Sequence, residues 1–411
     1  MAQRTVLSGG RLPSGKRVDI AIDDESECIV QVGTVSLQPS DKVEDLQNMV
    51  ILPAPVEIHA HLDKVLLNRS LPYDVNPKGD LDGAISAMQS IDLTPKDVFS
   101  RAKQAVLEMV KNGTTTVRSH VDVRDPVGTS SLLALTELSA WLAETKLATL
   151  QISCLMGRQL TGRLGERNRA LLKESIELGV DVIGGCPYLD DNPREALNIL
   201  LDAAMESGLP VDLHTDETLD KDVFTLRHLV DEVEKRGVET GVTASHCVSL
   251  SMQPERTQLE IAKRLAEARV SIVVLPQTNL YLQARGVNQA PPRGVAPAKL
   301  LQEAGVNVAA GADNVQDPFC SVGRLDALET ASLLILAAHL GPDVAWETCS
   351  NSSRKALGME EISFAVGGPA DLLAISGEDL RSAITQATPD RLVIHKGRVI
   401  SRTKVSSSFS T

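Results

Sequence analysis

Residues 53–64 of the 411-residue chain read PAPVEIHAHLDK, an apolar stretch that ends in His59 and His61. Short apolar runs rich in Val, Ile and Ala predict eight strands, at residues 50–61, 115–123, 150–156, 181–188, 210–217, 241–247, 270–278 and 306–313. Helical patterns lie between them, for example at residues 95–112, 169–178, 193–207, 219–236 and 254–268. Eight strands, each followed by a helix, predict an α/β fold, a (β/α)8 TIM barrel, rather than an open sheet.

The two ends of the chain differ from this middle part. Residues 5–12 and 18–22 near the N-terminus, and 370–375 and 391–400 near the C-terminus, have the pattern of short strands separated by turns. We therefore expect a small β-sandwich domain built from both terminal segments, residues 1–50 and 366–405, beside a barrel of residues 51–365. Residues 406–411 are expected to form a disordered tail.

Composition excludes several classes of function. With 43% hydrophobic and 23% charged residues, the chain can bury a large core and is not disordered. A net charge of -13, no cluster of Lys and Arg, and 2% aromatic residues argue against nucleic acid or an anionic membrane surface as a partner. No apolar run reaches the ~18 residues that cross a bilayer, and no secretory signal is evident. Six cysteines without CxxC spacing predict reduced thiols in a cytoplasmic protein.

Histidines are concentrated at the ends of the predicted strands. Four of the eight, His59, His61, His214 and His246, fall there, and the eighth strand ends in Asp313. The carboxyl ends of barrel strands converge on one face, and side chains two positions apart on a strand point the same way. His59, His61, His214 and Asp313 can therefore hold one divalent ion, either Zn2+ or Fe2+. Single core histidines are usually only hydrogen-bonded, but the joint placement favours a metal centre.

Two further groups are candidates for the chemistry. Glu217, three residues after His214, is expected in the loop above the metal, where it can carry a proton to a substrate nitrogen. The alternative is a charge that caps a helix near Leu219. His246 is expected to face the water or the developing oxyanion and stabilise it, the alternative being a buried structural histidine. Asp313 would also accept the proton of the attacking water.

These segments together resemble the amidohydrolase superfamily and, within it, the bacterial cytosine deaminase-like branch. The matching stretches are residues 53–64, 118–123 (RSHVDV), 214–217 (HTDE), 245–247 (SHC), 311–319 (GADNVQDPF) and 368–372 (GPADL), so the resemblance covers almost the whole chain. It implies the same four metal ligands, with Glu217 as proton shuttle and His246 as the water-orienting histidine. Residues 181–188 (DVIGGCPY) lack the lysine that two-metal members use at the end of the fourth strand. A single metal and deamination are therefore expected.

The expected substrate is not cytosine. By the resemblance, Gly157 stands where cytosine deaminases have the glutamine that reads the pyrimidine amide, with Gln159 two positions later. Phe319 replaces a tryptophan and Asn314 a second aspartate. Losing the amide reader costs much of the discrimination for cytosine, so another nitrogen heterocycle is expected: an aminotriazine, an N-alkylated aminotriazine, isocytosine or a creatinine-like ring.

Other polar residues are assigned to substrate contact or to support of the ligands. Asn279, Gln283 and Arg285, in a loop predicted after the seventh strand, are candidates for substrate contact, as are Gln159 and Phe319; an ordinary polar surface loop is the alternative for the first three. The residues expected to lie behind the ligands and orient them are His120, Asp122, Lys64 and Asn314.

The sequence thus predicts a metal-dependent aminohydrolase that removes ammonia or an amine from a nitrogen heterocycle such as a pyrimidine or triazine. The ion would lower the pKa of a water from about 15.7 toward about 7. One alternative is hydrolysis of a cyclic amide or N-acyl compound on the same scaffold. Another is a non-catalytic relative, against which the presence of all four ligands and Glu217 speaks. A small heterocyclic molecule is the expected partner, and a homo-oligomer is left open.

Overall fold

The computed structural model describes residues 3–72 and 75–410. Its strands are β1 (Arg4–Arg11), β2 (Arg17–Asp23), β3 (Ile29–Gly33), β4 (Lys42–Asp45), β5 (Val50–Pro53), β6 (Val56–Ala60), β7 (Thr116–Val123), β8 (Thr149–Met156), β9 (Val182–Gly185), β10 (Val211–Thr215), β11 (Val242–His246), β12 (Ser271–Val274), β13 (Val308–Ala310), β14 (Leu372–Ile375), β15 (Arg391–His395) and β16 (Arg398–Thr403).

The α-helices are α1 (Leu81–Gln89), α2 (Pro95–Lys111), α3 (Ser130–Thr145), α4 (Glu166–Glu177), α5 (Pro193–Ser207), α6 (Thr225–Arg236), α7 (Glu255–Glu267), α8 (Pro276–Leu282), α9 (Ala298–Glu303), α10 (Ala327–Ala337), α11 (Pro342–Cys349), α12 (Asn351–Ala356) and α13 (Leu380–Gln386). Short 3-10 turns occupy Leu67–Arg69, Pro187–Leu189 and Val248–Met252. Nowhere in residues 3–72 and 75–410 is a helix both long and apolar enough to span a bilayer.

The eight strands β6 to β13 lie side by side in chain order and pair in parallel. Helices connect successive strands and bury their apolar faces on the outside of the sheet, in a core of Val, Leu, Ile and Ala. Local sequence signals start and end these helices. In α5, for example, the Asn192 side chain accepts the amide of Glu195, and Gly208 ends the helix at a φ of 72°. The predicted TIM barrel is confirmed.

The barrel closes between its first and last strands through few hydrogen bonds. Just beyond β13, the amide of Asp313 donates to the carbonyl of His59, at 2.9 Å. The buried carboxylate of Glu57 accepts the amide of Ala312 at 3.0 Å and that of His59 at 3.1 Å. A side chain at Gly311 would place its Cβ 2.4 Å from Oε1 of Glu57, so any larger residue would displace this buried group. Burial raises the pKa of Glu57 to about 8. The closure thereby fixes His59 and Asp313 relative to one another.

A second sheet is built from both terminal segments, in the order β16-β15-β14-β5-β1-β2-β3, with β4 paired to β1. This agrees with the expected contribution of both ends, while the domain limits 1–50, 51–365 and 366–405 stay a prediction. Residues 406–410 are exposed and have no regular secondary structure. Residue 411 of the predicted tail lies outside the described residues, and disorder of the tail stays a prediction.

Several predicted elements were wrong in their limits, three of them by the most. The strand predicted at residues 50–61 is two strands: β5, which ends at Pro53 paired with Leu372, joins the small sheet, and β6, which begins at Val56 after Pro55, joins the barrel. The predicted strand 270–278 ends at Val274, and Pro276 begins helix α8 where a loop was expected. The helix predicted from residue 219 begins at Thr225.

A buried carboxylate, Asp371, joins the small sheet to the helices that end the barrel. It accepts the ring Nδ1–H of His395 at 2.7 Å and the backbone amide of Lys396 at 2.9 Å. Its second oxygen accepts Nη1 of Arg354, from α12, at 3.0 Å. Burial alone would raise the pKa of Asp371, but the hydrogen bond and charge of His395 hold it at about 2.

Stability should therefore depend on this carboxylate in a defined pH range. Since the folded pKa of about 2 lies below the unfolded value near 3.9, the carboxylate stabilises the fold above about pH 4, and this contribution is lost as the pH falls through about 2. We expect Asp371→Asn to lower the free energy of unfolding by about 3 kcal/mol at pH 7 and by progressively less below pH 4. Urea unfolding across this range measures the difference, with exposed Asp343→Asn as control. A loss that does not shrink on acidification would contradict the assignment.

Candidate active site

Three imidazoles and one carboxylate meet at the carboxyl ends of the barrel strands. The Nε2 atom of His214, on β10, lies 3.1 Å from Nε2 of His59 and 3.3 Å from Nε2 of His61. Asp313 Oδ1 lies 3.0 Å from Nε2 of His61 and 3.8 Å from Nε2 of His59. Ligands about 2.1 Å from a common ion in tetrahedral or octahedral geometry are separated by about 3.0–3.4 Å. The structure therefore brings together all four residues predicted as ligands.

The chemistry of these four side chains fits a divalent cation. Burial, followed by the neighbouring imidazoles or Lys64, lowers the pKa of His59, His61 and His214 well below the usual value, so the rings are neutral ligands near pH 7. Among residues 3–72 and 75–410, no group donates a well-aligned hydrogen bond to either carboxylate oxygen of Asp313, although both are buried. Burial raises the pKa of Asp313 to about 6. A cation would satisfy the four groups at once.

A series of buried hydrogen bonds orients the ring of His59. The sequence did not predict it. Nδ1–H of His59 donates to Ser245 Oγ at 3.0 Å, and Ser245 donates to Asp212 Oδ1 at 2.8 Å. Arg118 donates to the other oxygen of Asp212 at 2.9 Å. Burial alone would raise the pKa of Asp212, but His120 and Arg118 lower it to about 2. Strand alternation could have found Asp212, since it shares a face of β10 with His214.

The ammonium group of Lys64 packs against the ring of His61. Nζ of Lys64 lies 3.2 Å from Nδ1 of His61 and 3.2 Å from a carboxylate oxygen of each of Asp63 and Asp122. Lys64 is almost fully buried, and the two carboxylates offset the burial and raise its pKa above the usual value. Lys64 and Asp122 lie beside a proposed ligand and also line the cavity of the site, and their predicted role in orienting the ligands stays a prediction.

The other two residues assigned behind the ligands are also buried. The ring of His120 stacks on that of His59 at a centroid distance of 3.9 Å, and its Nε2 lies 3.5 Å from Asp212 Oδ2. The Asn314 amide donates to the carboxylate of Asp317 at 2.8 Å. Both pack against residues of the site.

Glu217 lies in the same cavity as the proposed ligands, and its side chain is buried. Its Oε2 accepts the hydroxyl of Tyr188, at 3.4 Å, and its Oε1 the amide of Asn279, at 3.3 Å. Burial and the charge of Asp313 raise the pKa of Glu217 well above the usual range, which favours a carboxyl group that holds a proton near neutral pH. The alternative of a helix cap does not apply to Glu217, because the adjacent Asp216 accepts the first amides of α6.

His246 ends β11 with a positive φ of 70° and turns its ring toward the imidazole cluster, 4.9 Å from the ring of His214. Its Nδ1 lies 3.0 Å from the amide nitrogen of Asn279, and burial lowers its pKa to about 4, so the ring is neutral at physiological pH. Within the described part of the chain, its buried Nε2 has no hydrogen-bond partner.

A cavity of about 340 Å³ opens onto this group and is of the size that takes a small ring compound. Gln159 and Phe319 line it, and their predicted contact with the substrate stays a prediction. Arg124, Tyr188 and Arg158, which the sequence did not single out, line it as well. Among the described residues that line it, Asn279, Gln283 and Arg285 are not found.

Those three residues contact other parts of the molecule. Asn279 contacts Glu217 and His246, and Gln283 donates to the backbone carbonyl of Glu217 at 3.2 Å. Arg285 stacks over the ring of Tyr281 at 4.4 Å. Their assignment to the substrate stays a prediction.

The barrel and its converging imidazoles define a metal-dependent hydrolase. A model of the amidohydrolase family matches residues 93–401, and a pterin deaminase of Rhizobium rhizogenes is 32% identical over 366 residues, which cover 87% of this chain and 82% of that protein. The chain therefore belongs to the amidohydrolase family, in its deaminase branch. The predicted class, a hydrolase of C–N bonds, is confirmed.

Solved structures of other enzymes share the fold of this protein. The 5-methylcytosine deaminase from Klebsiella pneumoniae, liganded with 5-fluorocytosine, superposes with a TM-score of 0.87 at 26% identity and covers 98% of this chain and 99% of that one. The N-isopropylammelide isopropylaminohydrolase of Burkholderia multivorans shares the fold, with a TM-score of 0.84 at 24% identity over 97% of this chain and 98% of that chain.

The hydrogen bonds that link His59 through Ser245 to Asp212 should increase the affinity of the site for its metal ion. Ser245→Ala removes the acceptor that fixes the ring of His59, so we expect metal affinity to fall by about 10- to 100-fold with little change in fold. Competition with a chelator, read by zinc content, measures this. Ser249→Ala is the matched control, since that serine is buried nearby and its hydroxyl bonds to none of the described residues. Equal affinity of the wild type and Ser245→Ala would show that these hydrogen bonds do not orient the ligand.

Proposed function

We propose that the protein is a mononuclear metal-dependent aminohydrolase that removes ammonia from an aminated nitrogen heterocycle, with a pterin-type bicyclic ring as the favoured substrate. The observation that carries the proposal is the convergence of His59, His61, His214 and Asp313 beneath a cavity that also holds Glu217. One Zn2+ or Fe2+ ion is proposed, because strand β9 carries no lysine to bridge a second. The reduced cysteines are consistent with a cytoplasmic enzyme.

The proposed reaction adds water to the ring carbon that bears the amine and expels ammonia. When bound, the ion supplies an acidified water as nucleophile. Asp313 accepts a proton from that water, and Glu217 donates its own proton to the adjacent ring nitrogen, which makes the carbon electrophilic. His246 faces the oxygen that is added to the ring carbon and stabilises its charge while that carbon is tetrahedral. Asp313 then returns its proton to the exocyclic nitrogen, which leaves as ammonia, and Glu217 takes back the proton of the added hydroxyl, so that a ring carbonyl remains.

The proposed substrate follows from the part of the cavity where cytosine deaminases have the glutamine that binds the pyrimidine amide and this protein has Gly157. A Cβ at Gly157 would lie 3.1 Å from Cδ of Arg124, so the arginine occupies the space that a larger side chain at 157 would need. A guanidinium only donates hydrogen bonds, whereas a glutamine both donates and accepts. Arg124 therefore suits a ring edge with two neighbouring acceptors, as in the carbonyl oxygen and adjacent pyrazine nitrogen of a pterin. The 32% identity to a pterin deaminase supports the same ring.

Glu217→Gln tests the proton-transfer role. The amide cannot give up a proton, so turnover should fall by at least about 10³-fold while metal content stays equal to wild type. Ammonia release from pterin, aminotriazines, isocytosine and cytosine, with metal measured on the same samples, provides the readout, and exposed Glu206→Gln is the control. Retained turnover would remove Glu217 from the mechanism. Ring opening of cyclic amides without ammonia release from any amine would favour the other hydrolase class.

Arg124→Met tests the substrate edge. We expect kcat/KM for pterin to fall about 10- to 100-fold, which corresponds to the loss of one bidentate contact. For wild type, a deaza analogue with CH in place of the acceptor nitrogen should show a similar loss, and in Arg124→Met the two substrates should be nearly equal. Arg158→Met, another arginine that lines the cavity, is the control. An unchanged preference in Arg124→Met would contradict the edge assignment.

A further inference from the structure

Asn279, on the first turn of α8, lies between the two side chains assigned to proton transfer and oxyanion binding. It is fully buried, and its Nδ2 atom is 3.3 Å from Glu217 Oε1 and 3.0 Å from His246 Nδ1. One amide group thus contacts both the proposed shuttle and the proposed oxyanion donor, although the residue does not line the cavity.

The orientation of this amide follows from counting donors and acceptors. With Nδ2 toward Glu217 and His246, both of its N–H groups are used, and only the carbonyl oxygen of Asn279 is without a partner among the described residues. The flipped amide would instead leave two buried N–H groups unpaired, which costs more than one unpaired carbonyl oxygen. The observed orientation requires a lone pair, not a proton, on Nδ1 of His246.

The competing arrangement is a direct bond from Nδ1–H of His246 to Glu217. The distance from Nδ1 to Oε1 of Glu217 is 3.5 Å, longer than a good hydrogen bond and longer than the 3.0 Å to Asn279. The amide is therefore the better partner for Nδ1.

We propose that Asn279 is a positioning residue that fixes the tautomer of His246, with its proton on Nε2. This inference rests on the proposed function for its catalytic consequence, but the tautomer itself is a property of the resting protein. His246 then presents an N–H donor from its unpartnered Nε2 to the reaction centre. With a proton on that atom, His246 acts neither as a base nor as a further metal ligand, although it lies within reach of His59 and Asp313.

The direct test is 15N NMR of zinc-loaded protein labelled at histidine, with the signals of His246 assigned by their loss in His246→Gln. The ring nitrogens of the two neutral tautomers have distinct chemical shifts. Wild type should show a protonated Nε2 and an unprotonated Nδ1. In Asn279→Asp, where the carboxylate only accepts, the proton should move to Nδ1; in Asn279→Ala the two tautomers should exchange.

Matched measurements separate this role from a structural one. Gln277→Met removes another buried amide of α8, one that donates to Thr330 and bonds to no other side chain in the described part of the protein, and should keep the wild-type tautomer. Asn279→Asp should lower kcat about 10²- to 10³-fold with little change in KM, as for loss of one oxyanion donor. A wild-type Nδ1–H signal, or an unchanged tautomer in both Asn279 variants, would overturn the proposal. Failure to deaminate any heterocycle, with the predicted tautomer present, would overturn the proposed function alone.

Discussion

The close approach of three neutral imidazole nitrogens and one carboxylate is the constraint on which the rest of the site depends. His214 Nε2 lies within 3.3 Å of the Nε2 atoms of both His59 and His61, and Asp313 Oδ1 lies 3.0 Å from His61. Lone pairs of uncharged acceptors at these distances repel unless a cation or protons lie between them. Burial disfavours the positively charged, doubly protonated form of these rings. A divalent ion bound between them would therefore stabilise the arrangement.

The fold supplies this geometry through the closure of the barrel. The ligands come from three strands that are far apart in the chain, and the contact between β6 and the end of β13 sets the distance from His59 to Asp313. That contact depends on the side chain of Glu57 and on a glycine at 311, where a Cβ would lie 2.4 Å from Oε1 of Glu57. Hydrogen bonds from His59 to Ser245 and from Ser245 to Asp212 fix the orientation of the His59 ring. The four proposed ligands lie on the barrel and not on the small sheet.

Much of this could be predicted from the sequence, for identifiable physical reasons. Alternation of apolar strands and helices indicated the barrel, and histidines at strand ends indicated the ligands, because both patterns are local. Long-range support was not visible: nothing in the sequence shows that Ser245 connects His59 to Asp212. Helix α8 was missed because it has only seven residues and begins two residues after the strand ends, and its polar side chains were therefore interpreted as a substrate loop. In the structure Asn279 faces Glu217 and His246 instead.

Anomalous X-ray diffraction from crystals of zinc-loaded protein tests the central claim most directly. The account predicts one zinc peak per chain, about 2.0–2.2 Å from Nε2 of His59, His61 and His214 and from an oxygen of Asp313. Two peaks in the site, or a peak bound by other residues with these four side chains separated, would contradict it.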